Sequence, residues 1–374
     1  MRALLLVTAY TCCLLLPQDG VKPAPVFPDM PSGARPALEV EHAKAEKPED
    51  MQVYVDRILG SEVSFGMAPI PGGVFSMGSP KGESSRNPDE GPVHELEIAP
   101  FWMGTHEVTW DEYELFMDRS FGAEEAGDDD QRSPQETWAD AVSRPTPPYV
   151  PMDFNMGTEG YPAISMTQFA AKQYTKWLSM KTGRFYRLAT EAEWEYACRG
   201  GAATAYHFGD DASQLDDYAW YFENSKESYH PVGKKKPNPF GLFDMHGNVA
   251  EWVLDGHGET TYADRAIAAK RKDSALVNPI HWPSTEYSRV VRGGSWDDDP
   301  GDLRSAARRK SRESWKMLDP QLPKSIWYLT NARTVGFRLV RPLLEPSAEQ
   351  QEEFWQADIE RIAAIQERQR KGER

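Results

Sequence analysis

Between about residues 65 and 343, no hydrophobic period outlasts a single short element. Helix bundles, coiled coils and helical repeats need an apolar stripe sustained over many turns. A doubly wound sheet needs strands and helices in alternation. Neither pattern is present. Strand-like pieces at 73–78, 94–98 and 289–292 stand between turns. Three helices stand out, two of them by their start signals. Thr109-Trp-Asp-Glu112 and Thr190-Glu-Ala-Glu193 are capping boxes, in which a hydroxyl and a carboxylate satisfy the first free amides of a helix. A third helix is expected over about 167–181, with Ala170, Tyr174, Trp177 and Leu178 on one face and Gly183 as its stop. The prediction is an α+β domain, irregular and loop-rich, as 28 Gly and 29 Pro also suggest. Twelve Trp, 15 Tyr and 15 Phe exclude a disordered chain and promise a sizeable core. The balance of 42 Lys+Arg against 58 Asp+Glu gives a net charge of −16. That excludes a nucleic-acid binder, which needs a basic face for phosphates.

The ends differ from the body. Residues 1–20 read as a signal peptide, with Arg2 ahead of an apolar run from Ala3 to Leu16. The expected location is therefore secreted or periplasmic, with only the signal segment touching a membrane. No second apolar run is long enough to span one. Cys12 and Cys13 lie in this segment, which leaves Cys198 as the one cysteine of the mature chain. A disulfide scaffold is excluded. Residues 21–64 read as a linker and N-terminal extension, 65–343 as the domain, and 122–150 as an acidic, Pro-rich surface insertion. Residues 344–374 read as one charged amphipathic helix. It opens on the capping box Ser347-Ala-Glu-Gln350, and its stripe of Phe354, Trp355, Ile359 and Ile362 is expected to pack on the domain.

Six blocks along the domain are recognisable together: 71–79, 107–113, 187–201, 237–252, 292–296 and 335–338. They include Arg187-Leu-Ala-Thr-Glu-Ala-Glu-Trp194, Asp244-Met-His-Gly-Asn-Val-Ala-Glu251, Arg292-Gly-Gly-Ser-Trp296 and Val335-Gly-Phe-Arg338. In this order they resemble the sulfatase-modifying-factor family, whose best-known members are the formylglycine-generating enzymes. The resemblance implies a variant C-type-lectin-like fold. It also implies enzymes that oxidise a sulfatase cysteine with oxygen on a copper(I) ion held by two thiolates after the Gly-Gly-Ser block. Thiolate is the soft ligand that copper(I) requires. Here that stretch runs Asp297-Asp-Asp-Pro-Gly-Asp-Leu-Arg-Ser-Ala-Ala-Arg308 and has no cysteine. The first copper position matches Asp298, and the second falls in or beside a shortened segment.

Other departures agree. The pocket tryptophan of active members is Ala250, and the family partner of Cys198 in a disulfide is Ser305. No His-x3-His suggests the family's iron-binding branch. Catalytic residues are therefore not expected, and copper is not an expected cofactor. The resemblance implies a structural calcium ion at Asp244, the carbonyls of Gly247 and Val249, and Glu251, a hard oxygen set that suits the ion. A ligand pocket is expected at Ser295, Trp296, Asp298, Arg304 and Arg308. The four carboxylates Asp297, Asp298, Asp299 and Asp302 could form an exposed turn, pair with arginines or hold a second cation. The expected function is a monomeric, non-catalytic binding module for a peptide, a protein such as a sulfatase, or a glycan. The alternative is a metal-dependent oxidase or hydroxylase of the same fold.

Overall fold

The computed structural model describes residues 37, 39–121, 133–272 and 274–370. The signal segment with Cys12 and Cys13, the start of the extension, residues 122–132 of the insertion and the last four residues lie outside these. In chain order the strands are β1 Tyr54–Arg57, β2 Ser64–Ile70, β3 Gly73–Met77, β4 His94–Ile98, β5 Phe101–Gly104, β6 Ala250–Gly256, β7 Leu276–Val277, β8 Arg289–Arg292, β9 Arg309–Lys310, β10 Val335–Gly336 and β11 Val340–Pro342. The helices are α1 Trp110–Met117, α2 Pro134–Asp140, α3 Gln168–Thr182, α4 Glu191–Arg199, α5 Leu215–Tyr218, α6 Thr261–Lys272, α7 Ala348–Trp355 and α8 Glu360–Arg370. One sheet has the order β1-β2-β5-β11, a second β10-β6-β8-β9 and a third β3-β4-β7. The second carries the candidate site. Its central strand β6 pairs antiparallel with β8 (Glu251 opposite Arg292) and parallel with β10 (Gly336 opposite Glu251).

The start signals act as expected. Thr109 and Thr190 cap α1 and α4 through complete capping boxes. Thr167 caps α3, and Gly183 ends it in the left-handed conformation at φ 73°. Every residue of α3 is buried. A helix hidden on all sides must find partners for its polar side chains, and the C-terminal tail supplies them. Lys172 pairs with Asp358 at 3.3 Å and Lys176 with Glu352 at 2.6 Å. Gln173 donates to the carbonyl of Trp355 at 2.7 Å. The tail therefore packs on the domain, with Trp355 and Ile362 buried.

Three readings of the sequence change here. The tail is two helices, because 356–359 leaves the helix to bring Asp358 onto Lys172 and Arg289. The extension is not linker throughout: β1 pairs with β2, Tyr54 Oη meets Tyr186 Oη at 3.1 Å, and Asp56 is buried against Arg184 at 3.1 Å. Within the insertion, Ser133 caps α2, Ala139 and Val142 are buried, and Arg144 lies 5.8 Å from the Trp177 ring. The sequence reading also passed over α6.

The Asp358 latch has a pH consequence. Burial alone would raise its carboxyl, but Lys172 and Arg289 outweigh that and hold it below the usual carboxylate range. A depressed carboxyl contributes stability above its unfolded value, near pH 3.9, and loses it as pH falls further. Asp358→Asn is expected to lower stability at pH 7 by about 2–4 kcal/mol, since it strands two buried cations. It should also flatten the acid limb of the stability profile below pH 4. Thermal unfolding from pH 2.5 to 7 checks both.

Candidate functional site

The site is built where the loop before β6 meets the Gly-Gly-Ser turn after β8. Gly247 has φ 93°, and a Cβ there would lie 2.2 Å from the Trp220 carbonyl. Only glycine fits. At Gly294, φ is 68° and a Cβ would meet the Asp302 carbonyl at 2.9 Å. With both turns this tight, the two loops bind directly: Gly247 N–H donates to Gly293 O at 2.9 Å, and Trp296 N–H to Asn248 O at 2.9 Å. Between them lies a shallow cleft with about 20 Å³ of room for water-sized occupants, about 250 Å³ when its open mouth is counted, bordered by Ala250, Gly294, Asp298, Asp302, Arg308 and Arg309. Ala250 thus stands at the cleft, where the resemblance places a tryptophan in active members.

Asp298 is already engaged. Its Oδ2 accepts from Ser295 Oγ at 2.5 Å, and Arg309 spans both oxygens at 2.9 and 2.8 Å. Asp297, Asp299 and Asp302 are exposed, so the four carboxylates spread around the turn. Among the described residues, no three His, Cys, Asp or Glu side chains converge on a point that could hold a metal ion by themselves. Of the expected pocket residues, Asp298 and Arg308 border the cleft, and Ser295 reaches it through Asp298. Trp296 is buried with its indole N–H toward the Arg333 carbonyl. Arg304 is directed away: it binds Glu83 and bridges both oxygens of Glu90, at 2.8 and 2.7 Å.

Arg309 was missed by the sequence reading. It opens β9 immediately after Arg308, and both arginines border the cleft. Arg308 enters the core, where its fork holds Glu191 at 2.6 and 3.0 Å. Arg292, fully buried, joins Glu191 and Glu195, and Glu195 also holds Arg199 and the amide of Gly78. The Arg-Gly-Gly-Ser and Thr-Glu-Ala-Glu-Trp blocks are therefore the two halves of one buried ionic frame. Burial would raise the Glu191 carboxyl, but Arg308 and Arg292 overcome it and bring it down to about 2.

Of the expected calcium ligands, Asp244, Gly247 and Val249 lie in the loop before β6 and Glu251 lies on β6 itself. Glu251 accepts from Arg338 at 2.7 and 2.6 Å and from the Trp194 indole at 2.8 Å. Asp244, at φ 58°, accepts from Gly233 N–H through Oδ2, while its buried Oδ1 has no partner. A second residue missed by the sequence reading stands beside them. Glu107 is fully buried with both carboxylate oxygens unpartnered. Burial first, then Asp244, push its carboxyl well above the ordinary range against the pull of Arg338. Burial likewise raises Asp244 to about 6. Three buried carboxylate oxygens, two on Glu107 and one on Asp244, are thus left without a hydrogen-bond partner.

Cys198 faces Ser305, its Sγ 3.7 Å from Oγ, with the His246 ring 3.8–3.9 Å away. Burial pushes the thiol up to about 12, so at neutral pH it is neither a nucleophile nor a thiolate ligand. His246 donates to or accepts from its neighbours without charge, because burial brings it down to about 3 and brings adjacent His207 down to about 4.

Residues 63–320 match the family of the sulfatase-modifying factor enzyme 1-like domain. A formylglycine-generating enzyme of Streptomyces coelicolor is 30% identical over 276 residues, covering 62% of this chain and 78% of the enzyme. The serine/threonine-protein kinase pkn1 of Chlamydia pneumoniae is 29% identical over 270 residues, covering 72% of this chain and 37% of the kinase. The chain thus spans little more than a third of that relative. The solved structure of PvdO from Pseudomonas aeruginosa superposes with a TM-score of 0.54 at 27% identity, covering 77% of this chain and 97% of that one. The chain belongs to the sulfatase-modifying factor family, and its fold is the α+β fold of the formylglycine-generating-enzyme type.

Proposed function

We propose that the protein is a non-catalytic, secreted or periplasmic member of this family that binds a peptide, a protein such as a sulfatase, or a glycan at the cleft between the two loops. One observation carries the reading. Where the resemblance places the first copper thiolate, Asp298 is locked by Ser295 and Arg309. A carboxylate is a poor ligand for copper(I), and one already neutralised by a guanidinium is poorer still. Cys198 offers no substitute, being a buried thiol. Among the described residues, no helix is long and apolar enough to cross a membrane. The reading is tested by incubating the protein with copper, oxygen and a sulfatase-derived cysteine peptide. No formylglycine is expected by mass spectrometry, and its appearance would overturn the proposal. Stoichiometric copper or iron in the purified protein would favour the oxidase alternative.

We also propose calcium as a structural ion on Asp244, Glu251 and the carbonyls of Gly247 and Val249, with Glu107 beside them. Three unpartnered oxygens on Asp244 and Glu107 support it. The ion would neutralise carboxylates that burial disfavours and tie the loop to β6. The sign follows from Asp244. A raised carboxyl makes ionisation costly as pH rises through 6, and a bound cation offsets that cost only when the group is ionised. Calcium at a hundredfold excess over its Kd should therefore add about 2.7 kcal/mol at pH 7.5, and much less at pH 5. Asp244→Asn should abolish most of the increment. Calorimetry with calcium and with a chelator checks this, and an equal effect at both pH values would rule the site out.

A further inference from the structure

Helix α3 has two faces of different character. Tyr174 and Trp177 turn toward the domain, each ring 5.8 Å from that of Phe116. The face under the tail carries Lys172, Gln173 and Lys176, which are only 1, 2 and 6% exposed. A surface kept permanently dry is normally apolar, because charged groups cost desolvation there. Two lysines and a glutamine suit a surface that water reaches when its cover lifts, as at contacts that form and part.

The cover is held mainly by charge. Residues 347–360 carry Glu349, Glu352, Glu353, Asp358 and Glu360 and no Lys or Arg. Glu352 holds Lys176 at 2.6 Å, and Asp358 bridges Lys172 and Arg289 at 3.3 and 2.6 Å. The apolar anchor is Trp355. Its indole N–H donates to the Tyr186 carbonyl at 2.9 Å, and its ring lies 5.2 Å from that of Phe185. Among the described residues of 347–368, only Gln351, Trp355 and Ile362 are buried. Leu344, in the stretch that joins the tail to β11, is 75% exposed. A segment that buries so few apolar side chains opens locally at less cost than global unfolding.

We infer that residues 347–370 form a strap that opens as a unit, and that the strip of α3 beneath it is a docking groove for an acidic, aromatic-bearing segment of a partner protein. Charge complementarity selects that partner. Lys172, Lys176 and Arg289 concentrate positive charge on one strip of a chain whose net charge is −16. The strap shows what the groove reads: a carboxylate at Glu352, a large ring three residues on at Trp355, and a second carboxylate three further at Asp358. Anchors at this spacing fit a peptide laid into a groove with its first turns helical. Lys176 also lies 5.7 Å from the Trp355 ring centroid, so the same cation that pairs with the carboxylate favours an aromatic beside it. Closed, the strap excludes the partner, and docking follows opening.

The test has two arms, both on the whole chain. In native-state hydrogen exchange at low urea, the amides of α7 and α8 should share one opening. It should be at least tenfold more frequent than the opening that frees α4, and less dependent on urea, since it exposes less surface. In the second arm the probe is a labelled peptide of residues 346–370. Trp355→Ala, which loosens the strap and leaves α3 intact, should bind it at least tenfold more tightly than wild type. Adding Lys176→Glu should remove that gain, with the thermal midpoint showing each variant folded. If α7 and α8 exchange only together with α4, the strap is part of the core and the inference fails. Equal binding by wild type and Trp355→Ala, or a gain that survives Lys176→Glu, would overturn the groove. A dimer of Trp355→Ala formed in place of peptide binding would assign the strip to a second copy and overturn the partner. None of these outcomes depends on the role of the cleft.

Discussion

Arg338→Met is expected to cost about 3–5 kcal/mol of folding stability at pH 7.5, the range for leaving a buried charge without its partner. Arg338 is 1% exposed and uses its whole fork: two bonds to Glu251, one to the Gly104 carbonyl and one to Phe243 O. It is also the cation that faces Glu107 and Asp244, both of which burial already raises. Its removal leaves three carboxylates in one dry region. The least costly response is protonation, so the loss should shrink as pH falls toward 5. Arg338→Lys keeps the charge but not the fork and should lie between wild type and Met. Glu251→Gln combined with Arg338→Met should cost less than the two single losses added, since removing both partners leaves no stranded charge. Urea unfolding of the wild type and the four variants measures this. A loss below about 1 kcal/mol for Arg338→Met would mean the pair is not structural.

What could be read ahead of the structure was what lies close along the chain. A cap joins a side chain to an amide three residues on, so Thr109, Thr190 and Ser347 were each legible as helix starts. Ser133 carries the same signal, with Glu136 three residues later. It was overlooked because the acidic and Pro-rich composition around it suggested a surface loop. The buried ionic frame was hidden for another reason. Arg304 meets Glu90 across 214 positions, and Arg308 meets Glu191 across 117. Nothing local tells an arginine bound for the core from one lining a pocket. Strand β1 is similar, since its anchor Tyr54 meets Tyr186 across 132 residues. The break in the tail helix also follows from distant partners: Asp358 leaves the helix because Lys172 and Arg289 hold it better than a further helical turn would. The resemblance located the cleft because the family's glycine turns are local features. It could not show that Asp298 would find Arg309.

Ser305→Cys should close a disulfide with Cys198 and raise stability by about 2–4 kcal/mol under oxidising conditions. The two positions already meet: Sγ and Oγ are 3.7 Å apart across 107 residues of sequence. A cross-link closing a loop of that length removes a large share of the entropy of the unfolded chain. In the loop-entropy account that is worth about 4.7 kcal/mol, from which any distortion of the native site is subtracted. Timing separates this bridge from a surface one. Because burial raises the Cys198 thiol to about 12, the folded protein holds almost no thiolate there at neutral pH, and disulfide exchange needs thiolate. The bridge should therefore form during oxidative folding and only slowly if oxidant is added to the folded, reduced variant. Peptide mapping locates the bond, and thermal unfolding with and without reductant gives its worth. Ser305→Ala should shift stability by less than about 1 kcal/mol, since the hydroxyl makes only a long contact to sulfur. If oxidative refolding of Ser305→Cys yields no 198–305 bond, Cys198 is a packing residue and not one end of a bridge.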